Sequence, residues 1–341
     1  MTAALKFRRP VWMAAASLVL LVLGGCSAWL LRNPEPVFAA RTGPLVRVDT
    51  LATRHDGGML EQEVALTSAT GLRVRVAVRR PAATPGDTAR RMLFLLLGGH
   101  ERGRGAAALV ADTRGTVVAS FDYPFDGNHR AKGLAVVTQV PAIRRALYDS
   151  PPAVTLALDY LLGRPDVDPA RVELVGASFG ASFATIAAAR DSRVSRLWIA
   201  HGGGKPMAMI DAGLEREIPF APFRWPVAGL ATLLASGPRF AAERWVGLVS
   251  PRPVVMLNAL DDERIPRRSV DALWNAAREP KSQVWLPGQH MQGNRQEVLR
   301  ALIDTVMTRA GVRTAPPDSL RRSSGDLTTP PACVRSNCGP V

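Results

Sequence analysis

A serine flanked by glycines lies where a predicted strand meets a predicted helix. Val172–Val175 has the apolar character of a short buried strand, and Ala181–Ala189 has the composition of a helix. Between them the sequence Gly-Ala-Ser-Phe-Gly places Ser178 at the centre of the connection. A strand that turns sharply into a helix strains its central residue and leaves no room for side chains at the flanking positions, which explains both glycines. This junction restricts the chain to folds in which buried strands alternate with helices.

The rest of the core shows the same alternation. Met92–Leu97 is a continuous apolar run that ends at two glycines, which is typical of a strand buried on both faces. Upstream, Glu61–Ala65 and Leu72–Val78 alternate as the two strands of a hairpin. Further strands are predicted over 116–121, 194–200, 253–260 and 283–286, and helices over 141–162, with a new start at Pro151-Pro152, and 296–309. The pattern predicts an α/β protein, a three-layer α/β/α sandwich around a mostly parallel sheet.

The N-terminal residues have the pattern of a targeting segment and are not expected to be part of the folded domain. Basic residues up to Arg9 precede the apolar run Val11–Leu23, the arrangement of an export signal over residues 1–25. Leu-Gly-Gly-Cys26 resembles the bacterial lipobox, which implies that Cys26 is lipidated and becomes the mature N-terminus. An uncleaved anchor is the alternative, because the 22 residues Pro10–Leu31 carry no charge and can span a bilayer. Either way we expect a membrane-anchored protein of the cell envelope, facing the periplasm or the exterior.

The remaining segments divide around one large domain. Residues 26–55 are interpreted as a linker and 56–311 as the domain, while 312–341 lacks apolar periodicity and is predicted to be disordered. Cys333 and Cys338 in that tail are either a disulfide, which an oxidising compartment permits, or two free thiols. The stretch 202–252 is far longer than an ordinary strand–helix connection, so we expect a small cap over the site whose apolar side chains partly face the pocket.

Composition excludes several classes of function. The 43 basic residues exceed the 29 acidic ones, but only four are lysines and the arginines are scattered. Without a basic block or a binding motif, this charge does not indicate a nucleic-acid partner. No Cys/His ligand cluster or dinucleotide fingerprint is present in the sequence, so no metal or organic cofactor is expected.

The order of these elements resembles a known superfamily. A hairpin, a strand ending in Gly-Gly, and a strand–Gly-x-Ser-x-Gly–helix unit over Glu61–Ala310 are similar to the α/β hydrolases. Arg164–Arg171 also resembles the segment before the nucleophile in bacterial esterase and dienelactone-hydrolase-like members, with Ser178 in place of the Cys of dienelactone hydrolases. The resemblance implies an α/β-hydrolase fold, with Ser178 as nucleophile and an acid and then a histidine after it in the chain.

A serine hydroxyl becomes nucleophilic when a histidine takes its proton, and a carboxylate must orient that histidine. His290 follows a late predicted strand, and Pro-Gly-Gln-His resembles the superfamily's last Gly-x-His loop. His201, at the end of a predicted strand, is the alternative base or otherwise a wall of the pocket. Members of the superfamily often have an Asp followed by three residues and a Pro at this point, and this spacing selects Asp262 as the acid. Asp261 is the first alternative and Glu263 the second.

An oxyanion hole needs two backbone N–H donors. The residue after the nucleophile, Phe179, is expected to supply one, and His100 or Glu101 in the loop after Gly98-Gly99 the other. The sequence thus predicts an exported, membrane-tethered serine hydrolase that forms an acyl-enzyme with a small-molecule ester or acyl substrate, most simply a carboxylic ester. A serine peptidase or acylaminoacyl-type hydrolase, and an inactive envelope-binding lipoprotein on the same fold, remain as alternatives.

Overall fold

The computed structural model describes residues 32–84, 86–99, 103–131, 133 and 135–312, together with positions 17, 25 and 30. The predictions for Cys26, Cys333, Cys338, His100 and Glu101 therefore concern residues outside the described part of the chain. The same holds for most of the export signal or anchor and for the tail beyond residue 312. Among the described residues, no helix has both the length and the apolar character needed to cross a membrane.

Nine strands of the described residues form one sheet. The strands are β1 (Leu45–Asp56), β2 (Met59–Ser68), β3 (Arg73–Pro81), β4 (Arg91–Leu97), β5 (Val117–Phe121), β6 (Val167–Ala177), β7 (Arg196–Ala200), β8 (Val254–Ala259) and β9 (Lys281–Leu286). Their order across the sheet is β1-β2-β3-β5-β4-β6-β7-β8-β9. The pairs β1–β2, β2–β3 and β3–β5 are antiparallel, whereas every pair from β5 through β4 to β9 is parallel. The predicted hairpin is confirmed as β2 and β3, and the predicted mostly parallel sheet is confirmed as well.

Helices cover both faces of the sheet, and successive strand residues feed two separate cores because side chains alternate along a strand. In β4, Leu93 and Leu95 belong to one core and Phe94 to the other. The described helices are α1 (Glu35–Arg41), α2 (Ala135–Thr138), α3 (Val140–Leu162), α4 (Gly180–Arg190), α5 (Pro206–Gly213), α6 (Ala221–Leu234), α7 (Arg267–Ala276) and α8 (Gln296–Arg309), with 3₁₀ helices at Gly103–Leu109, Gly237–Arg239, Ala242–Arg244 and Val246–Leu248. The first core is packed by α1, α3, α4 and α7, and the second by α8 and the segment around the first 3₁₀ helix.

The linker prediction for 26–55 is wrong over most of its length. Residues 35–41 form α1 and residues 45–56 form β1, which pairs with β2 at the edge of the sheet. Phe38 of α1 is fully buried, and its ring lies 5.9, 6.0 and 5.7 Å from the rings of Tyr148, Phe240 and Trp245. A seven-residue helix is too short to show a period, and most of β1 is exposed, so neither carries the pattern that marks a core element.

The predicted helix break at Pro151-Pro152 is also wrong. Helix α3 runs without interruption from Val140 to Leu162 with both prolines inside it. Proline removes a backbone donor and disfavours a helix interior. Both prolines are buried, and the helix on either side of them packs into the first core, from Tyr148 to Leu161. Tertiary packing therefore outweighs the local preference.

We predict that Phe38→Ala destabilises the protein by about 3 to 5 kcal/mol, because it empties a fully buried aromatic site. Chemical unfolding in urea measures the change in the free energy of unfolding. Phe223→Ala is the matched control, since that ring is 70% exposed and its loss should cost less than about 0.5 kcal/mol. Equal, small effects for both variants would contradict the assignment of α1 to the folded domain.

Candidate active site

The backbone at Ser178 adopts a conformation that non-glycine residues rarely take. Its φ is +52°, at the junction of β6 and α4. A Cβ at Gly176 would lie 2.5 Å from Cβ of Ala184, and one at Gly180 would lie 2.2 Å from the carbonyl oxygen of Leu97. Real atoms do not approach so closely, so glycine is needed at both positions for the turn to pack against β4 and α4. The sequence-based explanation of the two glycines is therefore correct.

A chain of hydrogen bonds connects Ser178, His290 and Asp262. Ser178 Oγ lies 2.8 Å from His290 Nε2, and His290 Nδ1 lies 2.9 Å from Asp262 Oδ2. The imidazole is buried, with only 1% of the residue exposed. Asp261 is exposed and uses its backbone N–H to donate to Gly288 O. The carboxylate that meets the imidazole is therefore that of Asp262.

Asp262 is held as an anion. Burial alone would raise the pKa of this carboxyl, but hydrogen bonding to His290 and to the backbone N–H groups of Ile265 and Arg264 outweighs it and lowers the pKa. Those two N–H groups donate to Oδ1 at 2.8 and 2.9 Å. An ionised Asp262 keeps the proton of the neutral imidazole on Nδ1, which leaves Nε2 free to accept the serine proton.

Glu263 supports the histidine from the other side. Its Oε2 accepts the backbone N–H of His290 at 2.9 Å, and its Oε1 accepts Arg295 Nη1 at 2.7 Å. Burial opposes ionisation, but these two bonds prevail and lower the pKa of Glu263 to about 2. The sequence alone predicts Glu263 only as an alternative acid, whereas the structure shows that it accepts the backbone N–H of His290 in the histidine loop. The run of three consecutive acidic residues was the available signal, but it does not reveal which oxygen meets which partner.

His201 packs beside the histidine rather than replacing it. Its Nδ1 accepts the backbone N–H of Met291 at 2.9 Å, and its ring centroid lies 5.4 Å from that of His290. Burial, assisted by the nearby His290, lowers the pKa of His201 to about 4, so this imidazole is neutral near pH 7. The hydroxyl of Ser178 bonds His290 instead, so His201 does not occupy the position of a base.

The side chains of His201, Asp262 and His290 also satisfy a geometric condition for binding a metal ion, because one ligand atom of each lies within 4.8 Å of the others. Their hydrogen bonds argue for another use. His201 Nδ1 accepts from Met291, and the imidazole of His290 bridges Asp262 and Ser178. A metal would have to displace these bonds, so the cluster fits a proton-transfer chain better than a metal site.

The loop predicted to carry the second oxyanion donor is fixed at both described ends. Before the loop, Tyr123 Oη donates to Gly98 O at 2.7 Å. After it, the backbone N–H of Arg104 donates to Asp122 Oδ1 at 2.9 Å, and the guanidinium pairs with the same carboxylate. Gly103 is packed so tightly there that a Cβ would lie 2.3 Å from Asp122 Oδ1. Two consecutive residues after β5, Asp122 and Tyr123, thus contact the described residues on either side of this loop.

Phe179 directly follows Ser178 at the N-terminal end of α4, the place predicted for the first oxyanion donor. Its ring is 42% exposed and meets the rings of Tyr123 and Phe183 edge-on, at 5.3 and 5.0 Å between centroids. Phe179 is therefore fixed beside Ser178 by its own side chain.

A cavity of about 450 Å³ opens beside Ser178 and His290 and extends under the second face of the sheet. We call it the nucleophile cavity. Its described walls come from the sheet, from the segment around the first 3₁₀ helix, from the loops after β8 and β9, and from α8. Its lining includes the polar residues Arg264, Gln292 and Asn294 near the opening. The apolar lining residues include Phe94, Leu96, Ala106, Val110, Val118, Val175, Leu299, Leu302, Ile303, Val306 and Met307.

The predicted cap does not line this cavity. No described residue in 202–252 belongs to its walls. Helices α5 and α6 of that stretch pack on each other, and α5 also contacts α7, while Trp225 of α6 is 63% exposed. The expectation that the segment's apolar side chains face the pocket is therefore wrong for the nucleophile cavity. The length of a connection indicates an insertion but not the direction in which it folds.

Comparison with known proteins gives the fold a name. No family model matches the chain. It is 31% identical over 136 residues to the uncharacterized protein YfhR of Salmonella typhi, a match covering 40% of this chain and 45% of that protein, so it spans less than half the length of the curated relative. The fold is similar to the α/β hydrolase GrgF from Penicillium sp. sh18, with a TM-score of 0.50 and 15% identity over 74% of this chain and 99% of that one. The protein has an α/β-hydrolase fold.

Two solved esterases share this α/β-hydrolase fold. Acetyl xylan esterase from Paenibacillus sp. R4 matches with a TM-score of 0.59 and 17% identity, over 80% of this chain and 92% of that one. Acetyl Xylan Esterase 1 from Thermoanaerobacterium sp. JW/SL YS485 matches with a TM-score of 0.57 and 14% identity, over 82% of this chain and 93% of that one. At these identities the likeness establishes the fold and no more.

We predict that His201 makes the folded domain sensitive to acid. The unfolded chain protonates this histidine near its ordinary pKa of about 6.5, whereas the folded protein resists protonation until about pH 4. Its contribution to stability is therefore complete above pH 6.5 and declines by roughly 1 kcal/mol per pH unit as the pH falls toward 4. Urea unfolding of wild type and His201→Gln between pH 7 and 4.5 should show a shallower decline in the variant. His55→Gln, at an exposed position of β1, should keep the wild-type slope; identical slopes for wild type and His201→Gln would contradict the prediction.

Proposed function

We propose that the protein is a serine hydrolase that cleaves carboxylic esters. The observation that carries this proposal is the hydrogen-bonded chain from Ser178 Oγ through His290 to Asp262, with the serine on a strained turn at the end of β6. Such an arrangement supplies a nucleophile, a base and an anion that orients the base. The proposal also includes export and attachment to a membrane, through Cys26 or an uncleaved anchor. These two parts rest on the N-terminal sequence alone.

The reaction proceeds in two halves. Ser178 Oγ attacks the ester carbonyl while His290 Nε2 takes the hydroxyl proton, and a bond forms between the serine oxygen and the carbonyl carbon. The tetrahedral intermediate collapses by breaking the bond to the alcohol oxygen, which receives the proton from His290. Water then attacks the acyl-enzyme with His290 again as base, and the carboxylic acid leaves as Ser178 regains its proton. Asp262 stays ionised throughout and stabilises the imidazolium formed in each half.

The negative charge that develops on the carbonyl oxygen requires donors near Ser178. The N-terminal end of α4 begins beside the serine and contributes a partial positive charge there. The backbone N–H of Phe179 is proposed as one donor, and an N–H at His100 or Glu101 as the other. The anchoring of Gly98 and Arg104 to Tyr123 and Asp122 supports this, because an oxyanion hole works through donors held in place before the charge appears.

The choice of esters over amides has two supports. The two acetyl xylan esterases of similar fold are named for ester hydrolysis. The nucleophile cavity is walled by apolar side chains behind its opening, which suits an acyl group better than a peptide with its many backbone donors and acceptors.

We predict that a fluorophosphonate probe labels the wild-type protein and that Ser178→Ala abolishes both labelling and p-nitrophenyl acetate hydrolysis, because the nucleophilic oxygen is gone. Gel fluorescence and release of p-nitrophenol measure the two effects. Ser182→Ala, in the next turn of α4, is the matched control and should be labelled as wild type. Labelling that survives in Ser178→Ala, or a folded wild type that reacts with neither reagent, would contradict the proposal.

We predict that Asp262→Asn lowers kcat for p-nitrophenyl acetate by about 10⁴-fold, because the amide no longer holds the imidazole in the required tautomer. Asp261→Asn adds the same chemical change one residue away, on an exposed side chain, and should alter kcat by less than about three-fold. Steady-state kinetics on both variants measures the difference. The reverse order of effects would assign the acid to Asp261.

A further inference from the structure

We infer that the nucleophile cavity is the binding site for the acyl chain of the substrate, and that it selects linear acyl groups of medium length. The inference rests on the proposed ester hydrolysis and names the class of substrate. A single cavity of about 450 Å³ is lined by Ser178 and His290 at one end and by side chains of the second core at the other, so the reacting groups and the apolar space are connected.

The polarity of the cavity walls changes with depth. Polar lining residues such as Arg264, Gln292 and Asn294 belong to the loops after β8 and β9, at the edge of the sheet where Ser178 lies. Below that level the described lining side chains are apolar, from Leu96 to Val306. A ligand that fits this gradient carries its polar, reactive group at the opening and an unbranched apolar chain behind it.

The depth follows from the directions of the walls. Strand β4 runs toward the edge that holds Ser178, so Phe94 lies deeper than Leu97, while α8 starts near that edge and runs inward from Leu299 to Val306. Seven residues of helix and three of strand both correspond to about 10 Å, which matches roughly eight carbons of an extended acyl chain.

Part of the wall opposite the sheet is built from small residues. The segment after β4 forms a 3₁₀ helix with the sequence Gly-Arg-Gly-Ala-Ala-Ala-Leu, in which Ala106 lines the cavity and Ala107 belongs to the second core. Protein interiors seldom leave voids of this size, and apolar cavities of even 150 Å³ take up apolar molecules from water. The cavity volume therefore calls for an apolar occupant.

The acyl arm fits the cavity better than the alcohol arm. The alcohol must leave after receiving its proton from His290, and the exposed side chains of Arg264 and Asn294 near the opening offer it a path to solvent. The acyl group stays bonded to Ser178 Oγ until water attacks, so it can occupy the deep apolar part of the cavity through both halves of the reaction.

The test is the dependence of kcat/KM on acyl length in the p-nitrophenyl esters of linear acids, from acetate to dodecanoate. Burial of each added methylene should raise kcat/KM by about four-fold until the cavity is filled, near eight carbons, after which it should stop rising. Wild type active on acetate but with no gain from longer chains would overturn the inference while leaving the proposed function standing. Wild type inactive on every ester would overturn both.

Variants at the deep end supply the second arm. Val306→Phe fills the end of the cavity and should lower the ratio of kcat/KM on the octanoate to kcat/KM on the acetate by about ten-fold or more. Val306→Ala should move the chain length at which kcat/KM stops rising toward longer chains. Ala301→Phe adds the same ring on the exposed face of α8 and is the matched control, and thermal unfolding of each variant verifies that it is folded.

Two results would contradict the assignment. If Val306→Phe lowers activity on all chain lengths equally in a folded protein, the cavity does not hold the acyl chain. If alkyl acetates of increasing alcohol length, rather than acyl esters of increasing length, show the dependence on Val306, the cavity holds the alcohol arm.

Discussion

The contact between Gly180 and the carbonyl oxygen of Leu97 determines how the site is built. A single Cβ at Gly180 would lie 2.2 Å from that oxygen, so only glycine lets α4 begin directly against β4. With α4 in that place, the backbone at Ser178 is held at positive φ and its N–H donates to Ala200 O, on the neighbouring strand β7. The nucleophile turn is thus tied to both strands that flank β6. Strain at this one residue is maintained by ordinary packing around it.

The histidine loop depends on several weaker constraints that converge. Asp262 bonds the imidazole of His290, Glu263 accepts the backbone N–H of the same residue, and His201 accepts that of Met291. Two of these three supports come from the turn after β8 and one from the end of β7, so the ends of two parallel strands position one imidazole. The orientation of the His290 imidazole therefore depends on groups outside its own loop.

The two faces of the sheet are covered unequally. On one face, α3 and α4 pack large aliphatic and aromatic side chains into a continuous core that also receives Phe38 of α1. On the other, a short 3₁₀ helix of small residues and the single long helix α8 leave the nucleophile cavity between them. This asymmetry places open apolar space on the side of the sheet that α8 covers, away from the 202–252 insertion.

Much of this protein could be predicted from local patterns, because the information is local. Continuous apolar runs marked the parallel strands, and the Gly-x-Ser-x-Gly turn marked Ser178. The position of a histidine after a late strand pointed to His290, and the resemblance to the superfamily's spacing of Asp, three residues and Pro favoured Asp262 over Asp261 and Glu263. Local patterns do not predict elements whose stability comes from residues distant in the sequence. Helix α1 packs against Phe240 and Trp245, and α3 continues through two prolines because its buried side chains pack into the first core.

The sequence by itself determined the order of the strands β2 to β9 and the residue types of the candidate site, since periodicity and turn chemistry act over a few neighbouring residues. Only the tertiary structure decided which of Asp261, Asp262 and Glu263 meets the imidazole, because a shift of one residue turns a side chain from the site toward solvent. It also decided where the apolar cavity lies, because a cavity is formed by what distant segments leave unfilled and no single segment encodes it.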